Sequence, residues 1–126
     1  MTKPGTVRVI ETDSLRPSEG GAPVFEGCQH GGVGASFFVV RAGPGRGAAL
    51  HQHPYDEVFV FLEGHARVWV GEEVVEAHGG QVVIVPERTP HRFINSGTDL
   101  LVTVNIHPRD RMITQWLGSA SGEAAS

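Results

Sequence analysis

The sequence predicts an all-β fold, either a barrel or a sandwich. Short runs of strand-forming residues recur at close spacing along the chain, and Gly, Pro, Asn and Asp residues typical of turns separate them. No window combines a sustained helical period with capping residues at its ends. With 126 residues, the chain is long enough to form one domain around a single core.

The N-terminal part is expected to contain short strands and loops. Residues 6–10 alternate apolar and polar side chains, which predicts a short strand, and a second one is expected over residues 22–27. Residues 27–34 are too rich in glycine for regular structure and predict a loop. Residues 35–42 are apolar at successive positions, which predicts a strand buried on both faces. We therefore assign residues 1–34 to N-terminal strands and loops.

The remaining strands are expected to form the barrel itself, over residues 35–117. Turn signals such as Pro86-Glu87-Arg88-Thr89-Pro90 separate them. The small, polar residues 118–126 predict a disordered tail, so the whole chain is one structural domain. The predicted strands after the first buried one cover residues 57–62, 65–70, 74–77, 81–85, 91–95, 99–107 and 111–116.

Charge and composition exclude several classes of partner. Fourteen acidic residues against ten basic ones give a net charge of −4, and lysine and arginine form no cluster, so we expect no nucleic-acid and no membrane partner. The single Cys28 excludes an internal disulfide. The N-terminus lacks the apolar run of a signal peptide and no segment reaches transmembrane length, so the expected location is cytoplasmic.

Side chains that can bind a metal are concentrated between residues 45 and 64. His51 and His53 are two positions apart, so on an extended backbone their imidazoles project from the same face. Glu57 follows after Pro54-Tyr55-Asp56, which can turn the chain. Glu57 also begins a strand that is otherwise apolar, and a buried carboxylate without a partner costs several kcal/mol. Two histidines and a carboxylate on converging strands can hold a metal.

Two motifs in the chain resemble those of the cupin family, and the chain is similar to a small single-domain bacterial cupin. The first cupin motif is Gly, five residues, His-x-His, three or four residues, Glu, six residues and Gly. The second is Gly, five residues, Pro-x-Gly, two residues, His, three residues and Asn. Nine of the ten specified positions match, and Arg88 stands where the family has its remaining glycine. The matching residues are Gly45, His51, His53, Glu57, Gly64, Gly80, Pro86, His91 and Asn95.

This resemblance implies a double-stranded β-helix, which is a jelly-roll cupin barrel. It further implies that His51, His53, Glu57 and His91 converge inside the barrel on one divalent metal ion. Three imidazoles and one carboxylate, without a thiolate, leave Fe(II), Mn, Ni, Co, Cu and Zn open as the metal. It also implies a homodimer, in which the N-terminal strand at residues 6–10 can cross to the partner's sheet; the strand can equally fold back on its own chain.

Arg88 is the one departure from the family pattern. Glycine in that turn indicates a backbone with positive φ, which costs a residue bearing a Cβ about 1 kcal/mol. Pro86 and Pro90 restrict the chain on either side. We therefore expect the turn to keep its shape and to present His91 to the metal.

The pocket around the metal is predicted from the alternation of side chains along the strands. Residues that share a face with Glu57 or His91 are expected to wall the interior, and three polar groups nearby can hydrogen-bond a small-molecule ligand. His30 is a candidate for the pocket mouth, whereas His65, His78 and His107 are expected to have no role in the site. The predicted pocket residues are Tyr55, Phe59, Phe61, Phe93, Thr103 and Asn105.

Three functions are compatible with these residues. The preferred one is a dioxygenase-like oxidoreductase that acts on a small oxygen-bearing molecule, with Glu57 as a catalytic proton acceptor. The second is a metal-dependent isomerase, cyclase, lyase or decarboxylase. The third is a non-catalytic cupin that binds a small ligand. Sugar-phosphate isomerisation is disfavoured because no set of lysines and arginines for a phosphate lies near the motifs.

Overall fold

The computed structural model describes residues 5–18 and 20–118, and its strands form two antiparallel sheets of five strands each within those ranges. Two short 3-10 turns lie at Thr12–Ser14 and Gly27–Gln29. No helix in this described part of the chain is long and apolar enough to cross a membrane. In chain order the strands are β1 (Val24–Glu26), β2 (Ser36–Ala42), β3 (Gly47–Gln52), β4 (Glu57–Glu63), β5 (His65–Val70), β6 (Glu73–His78), β7 (Gln81–Val85), β8 (His91–Asn95), β9 (Leu101–His107) and β10 (Gln115–Trp116).

The order of strands confirms the predicted double-stranded β-helix. One sheet runs β1-β2-β9-β4-β7 and the other runs β10-β3-β8-β5-β6, with every pairing antiparallel. Strands that are neighbours in space are mostly distant in sequence, as in a jelly roll. This crossing places β3 and β8 side by side in one sheet and β4 in the other, and these three strands carry His51, His91 and Glu57 of the motifs.

The core lies between the two sheets and consists of alternate residues of each strand. On β5, Ala66, Val68 and Val70 are buried, whereas His65 and Arg67, which precede Ala66 and Val68, are exposed. The largest side chains of the core are phenylalanines, each of which stabilises the fold by roughly 1.5–3 kcal/mol when fully buried. These rings belong to Phe59, Phe61 and Phe93, and each is 1% exposed.

Most of the predicted strands are present, and three differ from the prediction. Residues 6–10 form no strand: Val7 and Val9 are each 86% exposed, and none of the described strands pairs with this segment. The strand predicted over residues 111–116 is reduced to the two residues of β10. The strand β3 (Gly47–Gln52), which carries His51, was not among the predicted strands. Apart from Gly118, the predicted tail at 118–126 lies outside the described residues.

The backbone of Arg88 has the positive φ that its place in the second motif predicts. Its φ is 55°, and among the described residues it is the one non-glycine residue with a positive value. A left-handed conformation costs roughly 1–2 kcal/mol in a residue with a Cβ. The backbone N–H of Arg88 donates to the carbonyl oxygen of His53 at 2.7 Å, so the turn is fixed to the chain beside the first motif. His91 consequently faces the interior, as predicted, and is 1% exposed.

Asn95, the last residue of the second motif, joins loops at the opposite end of the barrel. Its side-chain amide donates to the carbonyl oxygens of Ala42 at 2.9 Å and Asp99 at 2.7 Å. Its side-chain oxygen accepts a hydrogen bond from the backbone N–H of Gly97 at 2.9 Å. The residue is 2% exposed, so these bonds satisfy an amide that would otherwise be costly to bury. Asn95 therefore stabilises the barrel rather than the metal site.

Candidate metal centre

The structure brings the four predicted ligands together at one end of the barrel. His51 lies on β3 and pairs with His91 at the start of β8, while Glu57 begins β4. One ligand atom from each of the four residues, including His53, lies within 4.8 Å of the others. All four side chains are buried, with exposures between 1% and 6%. The cluster is therefore shielded from bulk water on most sides.

The outer nitrogen of each ligand histidine faces a backbone carbonyl group. Nδ1 of His51 lies 2.6 Å from the oxygen of Ala49, Nδ1 of His53 lies 2.8 Å from that of Ile113, and Nδ1 of His91 lies 2.8 Å from that of Thr89. A carbonyl oxygen can only accept, so each Nδ1 carries the proton and donates it. A neutral imidazole in this tautomer presents a lone pair at Nε2. Three such lone pairs are therefore available to the centre of the cluster.

Two of these lone pairs lie close to the carboxylate of Glu57, and this arrangement is suited to binding a cation. Nε2 of His91 lies 3.0 Å from Oε1 of Glu57, and Nε2 of His53 lies 3.1 Å from the same oxygen. The Nε2 of His53 is buried without an aligned hydrogen-bond partner among the described residues. Lone pairs of nitrogen and of oxygen repel one another unless a second proton or a metal lies between them. A divalent metal would satisfy all of these atoms at once, and the donor set is one that such ions accept.

The electrostatics of the site keep these residues in the charge states that metal ligands need. Burial lowers the pKa of His51 to about 4, with a further contribution from the nearby His91, so His51 is neutral at pH 7. Burial alone would raise the pKa of Glu57, but its contacts with the surrounding imidazoles, foremost that of His107, outweigh burial and hold that pKa well below its usual range. The site thus combines neutral imidazole with ionised carboxylate.

His107 belongs to this cluster, contrary to the expectation that it has no role there. It ends β9, is 0% exposed, and its Nε2 lies 3.1 Å from Oε2 of Glu57. Strands β4 and β9 pair with Val58 opposite Ile106, so the preceding Glu57 and the following His107 are adjacent. The inward alternation of β9 is visible in the sequence, but the register of two strands almost 50 residues apart is not.

Tyr55 lies behind the ligand histidines rather than in the pocket. Its ring stacks on that of His53 with centroids 5.2 Å apart, and its hydroxyl lies 2.5 Å from Nδ1 of His107. The hydroxyl also accepts a hydrogen bond from the backbone N–H of Ile113 at 3.1 Å. Burial raises the pKa of Tyr55 to about 12, so this hydroxyl keeps its proton at neutral pH.

A pocket leads from the surface to the ligand cluster. Its cavity volume is about 20 Å³, and the wider space of about 280 Å³ around it includes open solvent. Of the predicted pocket residues, Phe59, Phe93 and Asn105 line it, whereas Phe61 and Thr103 are buried outside the lining. The full lining consists of Phe38, His51, His53, Glu57, Phe59, Phe93, Asn105, Thr114 and Trp116.

Two lining residues near the C-terminus were not predicted. Trp116 pairs with His51 through β10, and the two ring centroids are 4.9 Å apart. Thr114 lies beside His53, with its hydroxyl 3.3 Å from Nδ1. Their position depends on the pairing of a two-residue strand, for which the sequence offers no local signal. His30, the candidate for the pocket mouth, instead stacks on Phe25 with centroids 4.4 Å apart.

Comparison with known proteins agrees with this architecture. The solved structure of a double-stranded β-helix protein from Klebsiella pneumoniae has a TM-score of 0.69 and 22% identity, over 92% of this chain and 96% of that one. Oxalate decarboxylase from Bacillus subtilis, whose Mn(II) centres have been studied, has a TM-score of 0.71 and 22% identity, over 82% of this chain and 29% of that one.

Sequence comparison shows the family. Polyketide synthase CurC of Streptomyces cyaneus is 31% identical over 101 residues, which cover 73% of this chain and 63% of CurC. Over the three curated relatives matched, the aligned part spans between 53% and 69% of the relative's length. Residues 38–107, more than half of the chain, match the family model described as Cupin domain. The chain therefore belongs to the cupin family, and its buried histidine and glutamate cluster makes it a metal-binding member.

Proposed function

We propose that the protein is a metal-dependent enzyme that oxidises a small oxygen-bearing molecule in a dioxygenase-like reaction. The observation that carries the proposal is the meeting of the four-residue ligand cluster with a pocket that is open to solvent. A structural metal site is closed by its protein ligands, whereas a catalytic one keeps a position that a small molecule can reach. His51, His53 and Glu57 line this pocket, so a molecule that enters it reaches the ligands directly.

The choice of metal follows from the proposed reaction. When bound here, a divalent metal supplies Lewis-acid activation of a substrate oxygen and, where the ion is redox-active, of dioxygen. Among the divalent ions that this donor set accepts, we propose Fe(II) or Mn(II), because both are redox-active, as a reaction with dioxygen requires. Because the structurally similar oxalate decarboxylase has Mn(II) centres, manganese should be among the metals tested.

The pocket walls indicate the class of substrate. Phe38, Phe59 and Phe93 provide an apolar surface for a planar molecule and exclude water from the cluster. Thr103 donates its hydroxyl proton to the side-chain oxygen of Asn105 at 2.7 Å, which leaves the amide N–H₂ of Asn105 as the donor for a substrate oxygen. The lining contains neither lysine nor arginine within the described residues, so a phosphorylated substrate is disfavoured.

A second candidate is a reaction without net oxidation, such as the cyclisation of a chain of ketones. The observation that favours it is the similarity to CurC, whose name is that of a polyketide synthase. The same pocket could bind such a molecule through adjacent oxygens at the metal and its carbon skeleton on the phenylalanines. Glu57 is the candidate proton acceptor in both reactions.

Oxygen consumption distinguishes these candidates. Metal-free protein would be loaded anaerobically with Fe(II), Mn(II) or Zn(II) and mixed with catechols, flavonols or β-diketones in an oxygen electrode. We expect oxygen uptake with Fe(II) or Mn(II), absent in Glu57→Gln and unchanged in His78→Gln, since His78 is exposed and distant from the pocket. Conversion with Zn(II) and no oxygen uptake would favour the second candidate. Tight binding without conversion under any metal would identify a ligand-binding cupin instead.

We also propose that the protein is a homodimer. Strand β7 is the edge of its sheet among the described strands, and its outward side chains Val82 and Ile84 are 60% and 64% exposed. The extended segment at residues 6–10 exposes Val7 and Val9 as well. Exposed apolar side chains on an open edge and on a segment outside the described strands support association of two copies. Light scattering should give the mass of two chains for the full protein and of one chain after removal of residues 1–10; one chain in both cases would contradict this.

A further inference from the structure

We propose that Tyr55 and His107 are positioning residues, which together hold the carboxylate of Glu57 in the orientation that the metal requires. This inference rests on the metal site described above. His107 is 0% exposed and Tyr55 is 6% exposed. His107 contacts Oε2 of Glu57, whereas His91 and His53 contact Oε1, and Tyr55 contacts His107 rather than the carboxylate.

The hydrogen bonds around Tyr55 determine the tautomer of His107. The backbone N–H of Ile113 donates to the hydroxyl oxygen of Tyr55, so the single hydroxyl proton is free to be donated to Nδ1 of His107, 2.5 Å away. Nδ1 is then an acceptor, and the proton of the neutral imidazole lies on Nε2. That N–H faces Oε2 of Glu57 at 3.1 Å. The opposite tautomer would place a lone pair against the carboxylate, which is repulsive.

His107 therefore differs in kind from the three ligand histidines. Those three donate from Nδ1 to a carbonyl oxygen and present a lone pair at Nε2, as a metal ligand must. His107 accepts at Nδ1 and presents a proton at Nε2, so it attracts the carboxylate and cannot itself bind the metal through that atom. One oxygen of Glu57 is thus held by His107, and the other faces the ligand histidines.

The contact between His107 and Glu57 is bent rather than linear. Nε2 of His107 has no aligned hydrogen-bond partner among residues 5–18 and 20–118, although Oε2 of Glu57 is only 3.1 Å away. A dipole and a charge at this separation still attract one another in a buried site, although less than in an aligned hydrogen bond. The guanidinium of Arg109 covers the outer face of the Tyr55 ring at 5.2 Å from its centroid, which shields the pair from solvent.

Removing either member should weaken metal binding without removing a ligand. Outer partners of metal ligands typically contribute 10- to 100-fold to affinity, so we expect Tyr55→Phe and His107→Phe to weaken Mn(II) binding by roughly that factor in calorimetry. We also expect both variants to change the zero-field splitting in the EPR spectrum of bound Mn(II), because the carboxylate is no longer fixed. His107→Gln keeps an N–H group near Nε2 and should recover most of the affinity. His78→Gln, which removes an exposed histidine, should match the wild type.

Nitrogen couplings of the bound Mn(II) complete the experiment. Three histidine nitrogens in both wild type and His107→Phe would support the assignment, whereas the loss of one nitrogen in the variant would identify His107 as a ligand and overturn it. Unchanged affinity and an unchanged spectrum in both variants would also overturn it. Tyr55→Phe removes only a hydroxyl group, and it decides the question alone should His107→Phe fail to fold. Failure of the wild-type protein to bind any divalent metal would instead contradict the metal site itself.

Discussion

His53→Ala is expected to lower the affinity for a divalent metal by roughly 100- to 1,000-fold while the chain stays folded. Four-ligand protein sites bind Zn²⁺ with about 10–16 kcal/mol, so one ligand of four accounts for roughly 3–4 kcal/mol. In this protein Nε2 of His53 is buried without an aligned partner in the described part of the chain, so no hydrogen bond there competes with the metal. Elemental analysis after dialysis, together with calorimetric titration, measures the loss.

Glu57→Gln should reduce metal binding at least as severely, although the two side chains have nearly the same shape. The carboxylate is the one anionic group among the four ligand residues, so its loss leaves a divalent ion surrounded by neutral donors. The amide of the variant would also compete with the metal by donating a proton to Nε2 of His91 or His53. The control is His78→Gln, with circular dichroism and thermal unfolding to show that each variant is folded. Metal content equal to that of the wild type in either ligand variant would contradict the assigned site.

The ligands could be predicted because their chemistry is encoded locally. His51, His53 and Glu57 lie within seven consecutive residues, and the spacing of the second motif places His91 after a turn restricted by prolines. Even the departure at Arg88 follows the pattern, since its backbone adopts the conformation that glycine has in the family. Where residue type and short spacing together determine geometry, sequence is sufficient.

The partners of those ligands could not be predicted, because long-range pairing places them. His107 reaches Glu57 only through the register of β4 against β9, and Trp116 reaches His51 only through the pairing of β10 with β3. Neither register leaves a mark in the local sequence. The contact of His107 with Glu57 and the place of Trp116 beside His51 are therefore visible only in the structure.

The segment at residues 6–10 shows the converse error. Its alternation is that of a strand, yet a strand also needs a neighbouring edge to pair with, and none of the described strands pairs with this segment. Val7 and Val9 consequently remain in solvent. The sequence pattern of residues 6–10 favours a strand, but a strand forms only when it pairs with the edge of another strand, such as one in a second copy of the chain.

The second large effect that we expect is on the pH dependence of the free energy of unfolding. We expect the metal-free protein to lose about 3 kcal/mol of unfolding free energy between about pH 7 and about pH 4, because of His51. In the folded protein its pKa is lowered from 6.5 to about 4, first by burial and then by the nearby His91. The unfolded chain therefore takes up a proton below about pH 6.5, whereas the folded protein does not until about pH 4. The unfolded state binds more protons in that window, so acid favours unfolding.

Glu57 acts in the same direction but at lower pH, which allows the two contributions to be separated. Its pKa in the folded protein lies well below the ordinary 4.5, so its stabilising effect is lost only as the pH falls below that value. Urea unfolding of dialysed, metal-free protein at several pH values should thus show the decline beginning near pH 6.5. His51→Gln cannot be protonated at that position, so its free energy of unfolding should fall by about 3 kcal/mol less than that of the wild type over the same pH range. If the free energy of unfolding depends on pH equally in the wild type and the variant, His51 is not held neutral in the folded protein. That result would contradict a preformed metal ligand at this position.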